Sequence, residues 1–274
     1  MHRRMLILLA VVVLLAIAVL PASAVTNGEP DAGRHPFVGL MVADDADGNP
    51  LWRCSGTLIS PKVFLTAGHC TEPPAARATI WFAEDVEATP DFGTPAGYPF
   101  EGDVDGTTYT HPDYDPDAFY LFDLGVVVLD KPVRMKEYGE LPDLGVLDEI
   151  KGSEKKAALT AVGYGLQEIN PNRYTGERDR LLAVLDLIDT MGVFGVPDGT
   201  AIKVSASGVG GDASPSGGTC FGDSGGPQFL TGTNTVAAVT SFGLNGNCAG
   251  VGGGYRVDQA DDLNWLATIM KKKR

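Results

Sequence analysis

A chain of 274 residues with 44% hydrophobic and 20% charged side chains has the composition of a compact globular protein, which excludes disorder for its bulk. Its 35 glycines and 18 prolines favour many short strands joined by turns over long helices, so an all-β fold is expected. A formal charge of −14 makes nucleic acid a poor partner, and its plain meaning is solubility in an extracellular medium.

At the start of the chain, Arg3 and Arg4 precede an apolar run from Met5 to Leu20, followed by Pro21 and the small residues Ala22-Ser23-Ala24. This is the pattern of a secretory signal peptide over residues 1–24, with the mature chain starting at Val25. A spanning helix needs roughly 20 apolar residues, and this run is shorter and ends at a proline, so no stable membrane anchor is expected. The arginine pair also fits twin-arginine export, and either route leads out of the cytoplasm. Losing Arg3 and Arg4 takes the formal charge from −14 to −16.

From Pro36 onward, β-rich runs recur between turns: Phe37 to Val42, Thr57 to Ile59, Val63 to Thr66, Ala78 to Phe82 and Leu124 to Leu129. Asp45-Ala46-Asp47-Gly48-Asn49 resembles the start of a calcium loop. Pro50 stands where that loop needs glycine and Gly56 where it needs glutamate, so a solvated turn is expected and no metal. The Asp-Gly step of Asp103-Val104-Asp105-Gly106 reads as a hairpin turn. A charged stretch from Leu141 to Lys156 reads as a linker, after which strands resume at Ala157 to Val162, Leu181 to Ile188, Ala201 to Ser205, Thr235 to Ser241 and Gly254 to Val257. Leu263, Leu266, Ile269 and Met270 recur at helical spacing, predicting a terminal helix packed on the second β unit. The division expected is a first unit over about 25–145, a second over about 146–258 and the helix over about 259–271. The basic residues that close the chain sit at the negative end of that helix dipole.

Four cysteines, Cys54, Cys70, Cys220 and Cys248, form an even set in an exported chain, which favours disulfides over metal ligation. Spacing alone leaves three pairings open.

The chemistry concentrates in Thr219-Cys220-Phe221-Gly222-Asp223-Ser224-Gly225-Gly226-Pro227. A serine flanked by glycines lets backbone approach a substrate carbonyl, and the N–H groups there can stabilise an oxyanion. A serine hydroxyl needs a base within hydrogen-bond reach and a third group to orient that base. His69 follows a strand and adjoins a cysteine, whereas His35 and His111 precede prolines in turn-like contexts. Asp123 opens the apolar run Leu124-Gly125-Val126-Val127-Val128-Leu129, as an orienting carboxylate should. Asp113, Asp115 and Asp117 lie in a proline-rich loop and read as solvated.

Together Cys54-Ser55-Gly56-Thr57-Leu58-Ile59, Thr66-Ala67-Gly68-His69-Cys70, Asp123-Leu124-Gly125 and Gly222-Asp223-Ser224-Gly225-Gly226-Pro227 resemble the trypsin/chymotrypsin family of secreted serine proteases. Val25-Thr26-Asn27-Gly28, Gly163-Tyr164-Gly165 and Ser241-Phe242-Gly243 extend the likeness over the mature chain. The resemblance implies two six-stranded antiparallel β-barrels with the active site between them, a triad of His69, Asp123 and Ser224, and oxyanion donors at Gly222 and Ser224. It implies disulfides Cys54 to Cys70 and Cys220 to Cys248, and an ion pair between a freed Val25 amino group and Asp223. It implies an endopeptidase without cofactor, monomeric, with protein or peptide substrates and protein protease inhibitors as partners. The substrate pocket falls to Gly218, Ser241, Phe242, Gly243 and Gly253. Gly218 at its base replaces the aspartate that would select Arg or Lys, and the two glycine walls leave room for a large apolar residue. A noncatalytic binding protein or an esterase on the same fold are the rival readings.

Overall fold

The computed structural model describes residues 25–26, 28–86, 97–153, 157–170, 173–192, 196–197, 199–205 and 217–272. The signal-peptide reading, Asn27 and the last two basic residues lie outside these.

After the short β1 (Glu29–Pro30), six strands close a first antiparallel barrel: β2 (Val38–Asp44), β3 (Pro50–Ser60), β4 (Val63–Thr66), β5 (Arg77–Trp81), β6 (Val104–Thr110) and β7 (Gly125–Leu129). Their order round the barrel is β2-β3-β4-β7-β6-β5. A one-turn helix, α1 (Val146–Ile150), leads to the second barrel. That barrel comprises β8 (Ala158–Gly163), β11 (Leu181–Asp189), β12 (Ala201–Ser205), β13 (Pro227–Leu230), β14 (Val236–Gly243) and β15 (Val251–Arg256), closed by β11 against β8. The hairpin of β9 (Glu168–Asn170) and β10 (Arg173–Thr175) projects between β8 and β11, and the chain ends in α2 (Ala260–Lys272). The two-barrel all-β fold is the one expected.

Alternation explains the curved strands. In β11, Leu185 and Leu187 point into the core while Val184, Asp186 and Ile188 face outward. By contrast β7 is buried on both faces, which its uninterrupted Val126-Val127-Val128 run suits. Phe37, Phe64 and Leu124 share one apolar cluster with Val162, Tyr164 and Phe229, so the barrels are fused by a common core.

Several local expectations are corrected. Val104 to Gly106 lie within β6 and not in a turn, because Gly106 packs across the barrel where a Cβ would come within 2.5 Å of Val127 Cγ1. β3 runs back to Pro50, since Trp52 and Arg53 pair with Ala43 and Val42 in spite of their polar neighbours. β13 went unread because it starts on Pro227 and carries Gln228, whose side chain is buried and donates to Thr240 Oγ1 at 3.3 Å. The chain near Val25 lies with the second barrel: Val25 joins its core, and β1 pairs with β11. The helix α2 reaches back to the first barrel, where Trp265 meets His111 edge to face at 5.0 Å. Asp45 forms a self-contained turn, its carboxylate accepting from Asp47 N, Asn49 N and Asn49 Nδ2.

One buried cation ties the units. Arg180 donates from Nε to Asp31 at 3.0 Å, and from Nη1 to Phe82 O at 2.9 Å, Tyr164 Oη at 3.1 Å and Val38 O at 3.3 Å. Replacing it leaves the buried Asp31 with His35 as its remaining partner and removes the donor to Phe82 O, so Arg180→Met is expected to lower stability by about 3 kcal/mol. Urea unfolding measures this, and an unchanged midpoint would show that the contacts carry no net stability.

Candidate active site

The segment from Thr219 to Pro227 is shaped by its glycines. Gly222 and Gly225 hold φ of 97° and 76°, the left-handed region where a side chain is strained. Gly225 is also pressed against the first barrel, where a Cβ would overlap Thr66 Oγ1. That close approach lets Ser55 N donate to Ser224 O at 2.8 Å, while Ser55 Oγ donates to Gly222 O at 2.8 Å and accepts from Tyr164 N at 3.0 Å. Among the described residues the N–H groups of Gly222 and Ser224 have no protein acceptor. Both are available to donate to a group from outside the protein.

His69 and Asp123 meet because β4 and β7 are neighbours, with Thr66 opposite Gly125. His69 lies in the single 3-10 turn Gly68–Cys70 that follows β4, and the Cys54–Cys70 disulfide fastens that turn to β3. Phe122, at φ 51°, kinks the chain just ahead of Asp123. The fully buried Asp123 carboxylate accepts from His69 N at 2.9 Å and faces His69 Nδ1 at 3.0 and 3.1 Å. This fixes the proton on Nδ1 and leaves Nε2 as the basic nitrogen. Asp123 Oδ2 also accepts from Ser241 Oγ at 2.5 Å, a donor aimed by the bulge between Thr240 and Phe242 in β14.

A second carboxylate acts on the imidazole. Burial opposes the His69 charge, but Asp123 and then Glu72 outweigh it and raise the pKa above the ordinary imidazole value. Glu72 is itself pushed up by burial, countered by His69 and by a hydrogen bond from Tyr114. The Tyr114 ring is packed so closely over Gly68 that a Cβ there would lie 2.9 Å from it. Cys54, His69 and Cys70 lie close together, but both sulfurs are in the disulfide and offer no thiolate to a metal.

Beside Ser224 a cavity of about 140 Å³ opens between Thr219 to Phe221 and Ser241 to Asn245, backed by the Cys220–Cys248 disulfide. Ser241, Phe242 and Gly243 line it as expected. Gly218 and Gly253 do not. Gly218 is buried and bridged to Thr26, its N donating to Thr26 O at 2.9 Å and its O accepting from Thr26 Oγ1 at 3.1 Å. Gly253 lies under the Phe242 ring, which occupies the place of any Cβ, so the expected open wall is closed by the neighbouring aromatic. Phe221 and Leu244 are exposed at the cavity mouth.

Asp223 is buried behind the same loop, accepting from Gly165 N at 2.8 Å and Cys220 N at 2.9 Å. Burial pushes its pKa up to about 6, against those two N–H groups and the charge of Arg53. Gly163 and Gly165 are glycine because a Cβ at either would overlap the Asp223 carboxylate. In the uncut chain the Val25 nitrogen is an amide, so its pairing with Asp223 belongs to a cleaved form.

With this geometry established, the family model for trypsin matches residues 26–263. The chain belongs to the trypsin family. It is 29% identical to a trypsin of Saccharopolyspora erythraea over 214 residues, covering 76% of this chain and 82% of that protein. It is 27% identical to brachyurin of Leptuca pugilator, covering 78% and 83% respectively. The solved structure of HL collagenase superposes with a TM-score of 0.67 at 21% identity, covering 90% of this chain and 98% of that one. Human heparin binding protein shares the fold at a TM-score of 0.62 and 18% identity, with 90% and 96% covered.

Within this trypsin-family site, sequence reasoning missed three groups. Ser241 was expected only as pocket lining, although a serine at a bulge in a central strand signals a side chain turned to a partner. Glu72 and Tyr114 are separated by 42 positions and carry no motif, so only the folded chain brings them together. Because Glu72 favours the imidazolium, Glu72→Gln is expected to lower the His69 pKa, and the ring would lose its proton at lower pH than in the parent protein. Proton NMR titration of the His69 ring reads this directly. An unmoved titration would show that Glu72 does not act on His69.

Proposed function

We propose that the chain is a secreted serine endopeptidase that cleaves peptide bonds through an acyl-enzyme. The observation that carries this is His69 Nδ1 held 3.0 Å from a buried carboxylate, which leaves Nε2 basic on a turn whose next residue, Cys70, has its Sγ 3.6 Å from Ser224 O. In this reading Ser224 Oγ attacks the carbonyl carbon, and its proton passes to His69 Nε2. Asp123, steadied by Ser241, stabilises the imidazolium, and the Gly222 and Ser224 N–H groups receive the oxyanion. His69 returns the proton to the departing amine, and water then releases the acyl group by the same path. No step needs a cofactor. Export after Ala24 leaves Val25 with a free amino group; beside Asp223 it would keep that acid ionised despite its burial and so order the Gly222 loop.

An organophosphorus reagent is expected to label Ser224 stoichiometrically, with mass mapping of the adduct as readout. A folded protein that takes no label and cleaves no peptide would instead be a binding module on this fold.

Among the described residues no charged side chain lines the cavity beside Ser224. Peptides with Phe, Tyr or Leu before the scissile bond are therefore expected to be cleaved at least about tenfold faster in kcat/KM than matched Arg or Lys peptides, since an uncompensated buried cation costs more than 1.4 kcal/mol. A preference for Arg would place an acid in the pocket and refute the uncharged assignment.

A further inference from the structure

We propose that His111 is a positioning residue for Asp123, clamped from the C-terminal helix α2 by Trp265 and Asp262; this rests on the endopeptidase reading above. Asp123 lies in a strained piece of backbone. Phe122 before it holds φ of 51°, which a bulky residue keeps only where its surroundings impose it. Leu124 N donates to Phe122 O at 2.6 Å, closing a three-residue turn centred on Asp123. The turn aims the buried carboxylate at His69, so whatever holds Phe122 also holds that aim. His111 grips the turn from both sides. Its ring lies flat on Phe122, with centroids 5.1 Å apart and planes 9° from parallel, and its N donates to Leu124 O at 2.9 Å.

The imidazole of His111 is itself confined. Asp113 N donates to Nδ1 at 3.2 Å, which leaves the proton of the neutral ring on Nε2. Nε2 faces Asp262 Oδ1 at 3.7 Å, beyond hydrogen-bond reach but in a buried, low-dielectric setting where the carboxyl attracts it. That Oδ1 makes no hydrogen bond among the described residues, while Oδ2 accepts from Tyr255 Oη at 2.9 Å, so the acid is fixed with one oxygen turned to the ring. Burial lowers the His111 pKa against the charges of Asp113 and Asp261, and the ring is therefore a neutral wedge at pH 7. Trp265 closes its remaining edge, with centroids 5.0 Å apart and planes at 66°. The helix α2 follows the last strand of the second barrel, so this clamp reaches Asp123 across the seam by a path separate from Ser241. His111 lines no part of the cavity beside Ser224, and its route to the chemistry is the direction of Asp123.

The test follows His69 by proton NMR titration of the resting mature protein, and kcat per site labelled by an organophosphorus reagent. In His111→Leu, Phe122 loses its stacking partner and the carboxylate loses its fixed direction. Asp123 is the main charge that raises the His69 pKa against burial, so the ring is expected to lose its proton at lower pH than in the parent protein. The value of kcat per labelled site should fall about tenfold with KM within about twofold, since a misplacement of about 1 Å costs about a hundredfold and the cavity is untouched. His111→Phe keeps a flat ring on Phe122 and should restore both readouts. Trp265→Leu alters a half-buried contact to the ring and should move both in the same direction by less, which decides the matter if His111→Leu does not fold. A His69 titration unmoved in these variants overturns the proposal even where activity falls, because a purely structural loss lowers the number of labelled sites and leaves the pH response of each. The titration needs no turnover, so failure of the endopeptidase reading and failure of this clamp are read separately.

Discussion

The site depends on one hydrogen bond across the seam between barrels, from Ser55 N on β3 to Ser224 O ahead of β13. In the proposed mechanism the base and its carboxylate are carried by the first barrel and the nucleophile by the second, so proton transfer would require the two to be registered within about half an ångström. Side-chain packing alone tolerates larger slips. Here Ser55 supplies both its N–H and its hydroxyl to the nucleophile loop, while its own carbonyl accepts from Thr66 Oγ1 at 2.8 Å. Gly225 N adds a bond to Thr240 O at 2.8 Å on the other side. The loop is thus held from both barrels, and Gly225 must lack a side chain for the surfaces to come this close.

Electrostatics follow from that closeness. Bringing His69 under a barrel wall strips water from it, which by itself would discharge the ring, and two carboxylates are arranged to reverse the outcome. Asp123 does so at hydrogen-bond distance and Glu72 from farther off. Asp223 faces the opposite problem, since burial favours its neutral form and, among the described residues, two N–H donors and Arg53 oppose this. A carboxyl poised near pH 6 responds strongly to one added cation. In the cleaved form proposed above the Val25 amino group would be such a cation, while Arg53 is anchored to β3 and contributes whether or not the chain is cut.

The blocks that carry the proposed chemistry were legible because each combines a chemical group with a backbone demand. Gly222 and Gly225 need positive φ, Gly163 and Gly165 make room for Asp223, and Asp123 must sit where a buried strand begins. Such demands leave short, dense signatures in sequence. The resemblance they carry also implied the two disulfides, whose pairing spacing could not choose. Groups that act across the fold leave none. Glu72 with Tyr114, Arg180 with Asp31, and Arg53 beside Gly222 each join residues far apart in the chain, and each partner looks like an ordinary surface residue in its own neighbourhood.

The pocket shows the same limit from the other direction. A glycine states that no side chain starts there, and says nothing about which neighbour fills the vacated space. At Gly165 the filler is the Asp223 carboxylate, at Gly225 it is the wall of the first barrel, and at Gly253 it is the ring of Phe242. An open slot was the natural inference from glycine at Gly243 and Gly253, yet it holds only where no aromatic lies across the strand. Phe242 pairs with Gly253 directly, after a bulge that also turns Ser241 toward Asp123. One irregularity in β14 therefore sets both the support of the Asp123 carboxylate and the depth of the pocket, so the two cannot be varied independently by changes in that strand.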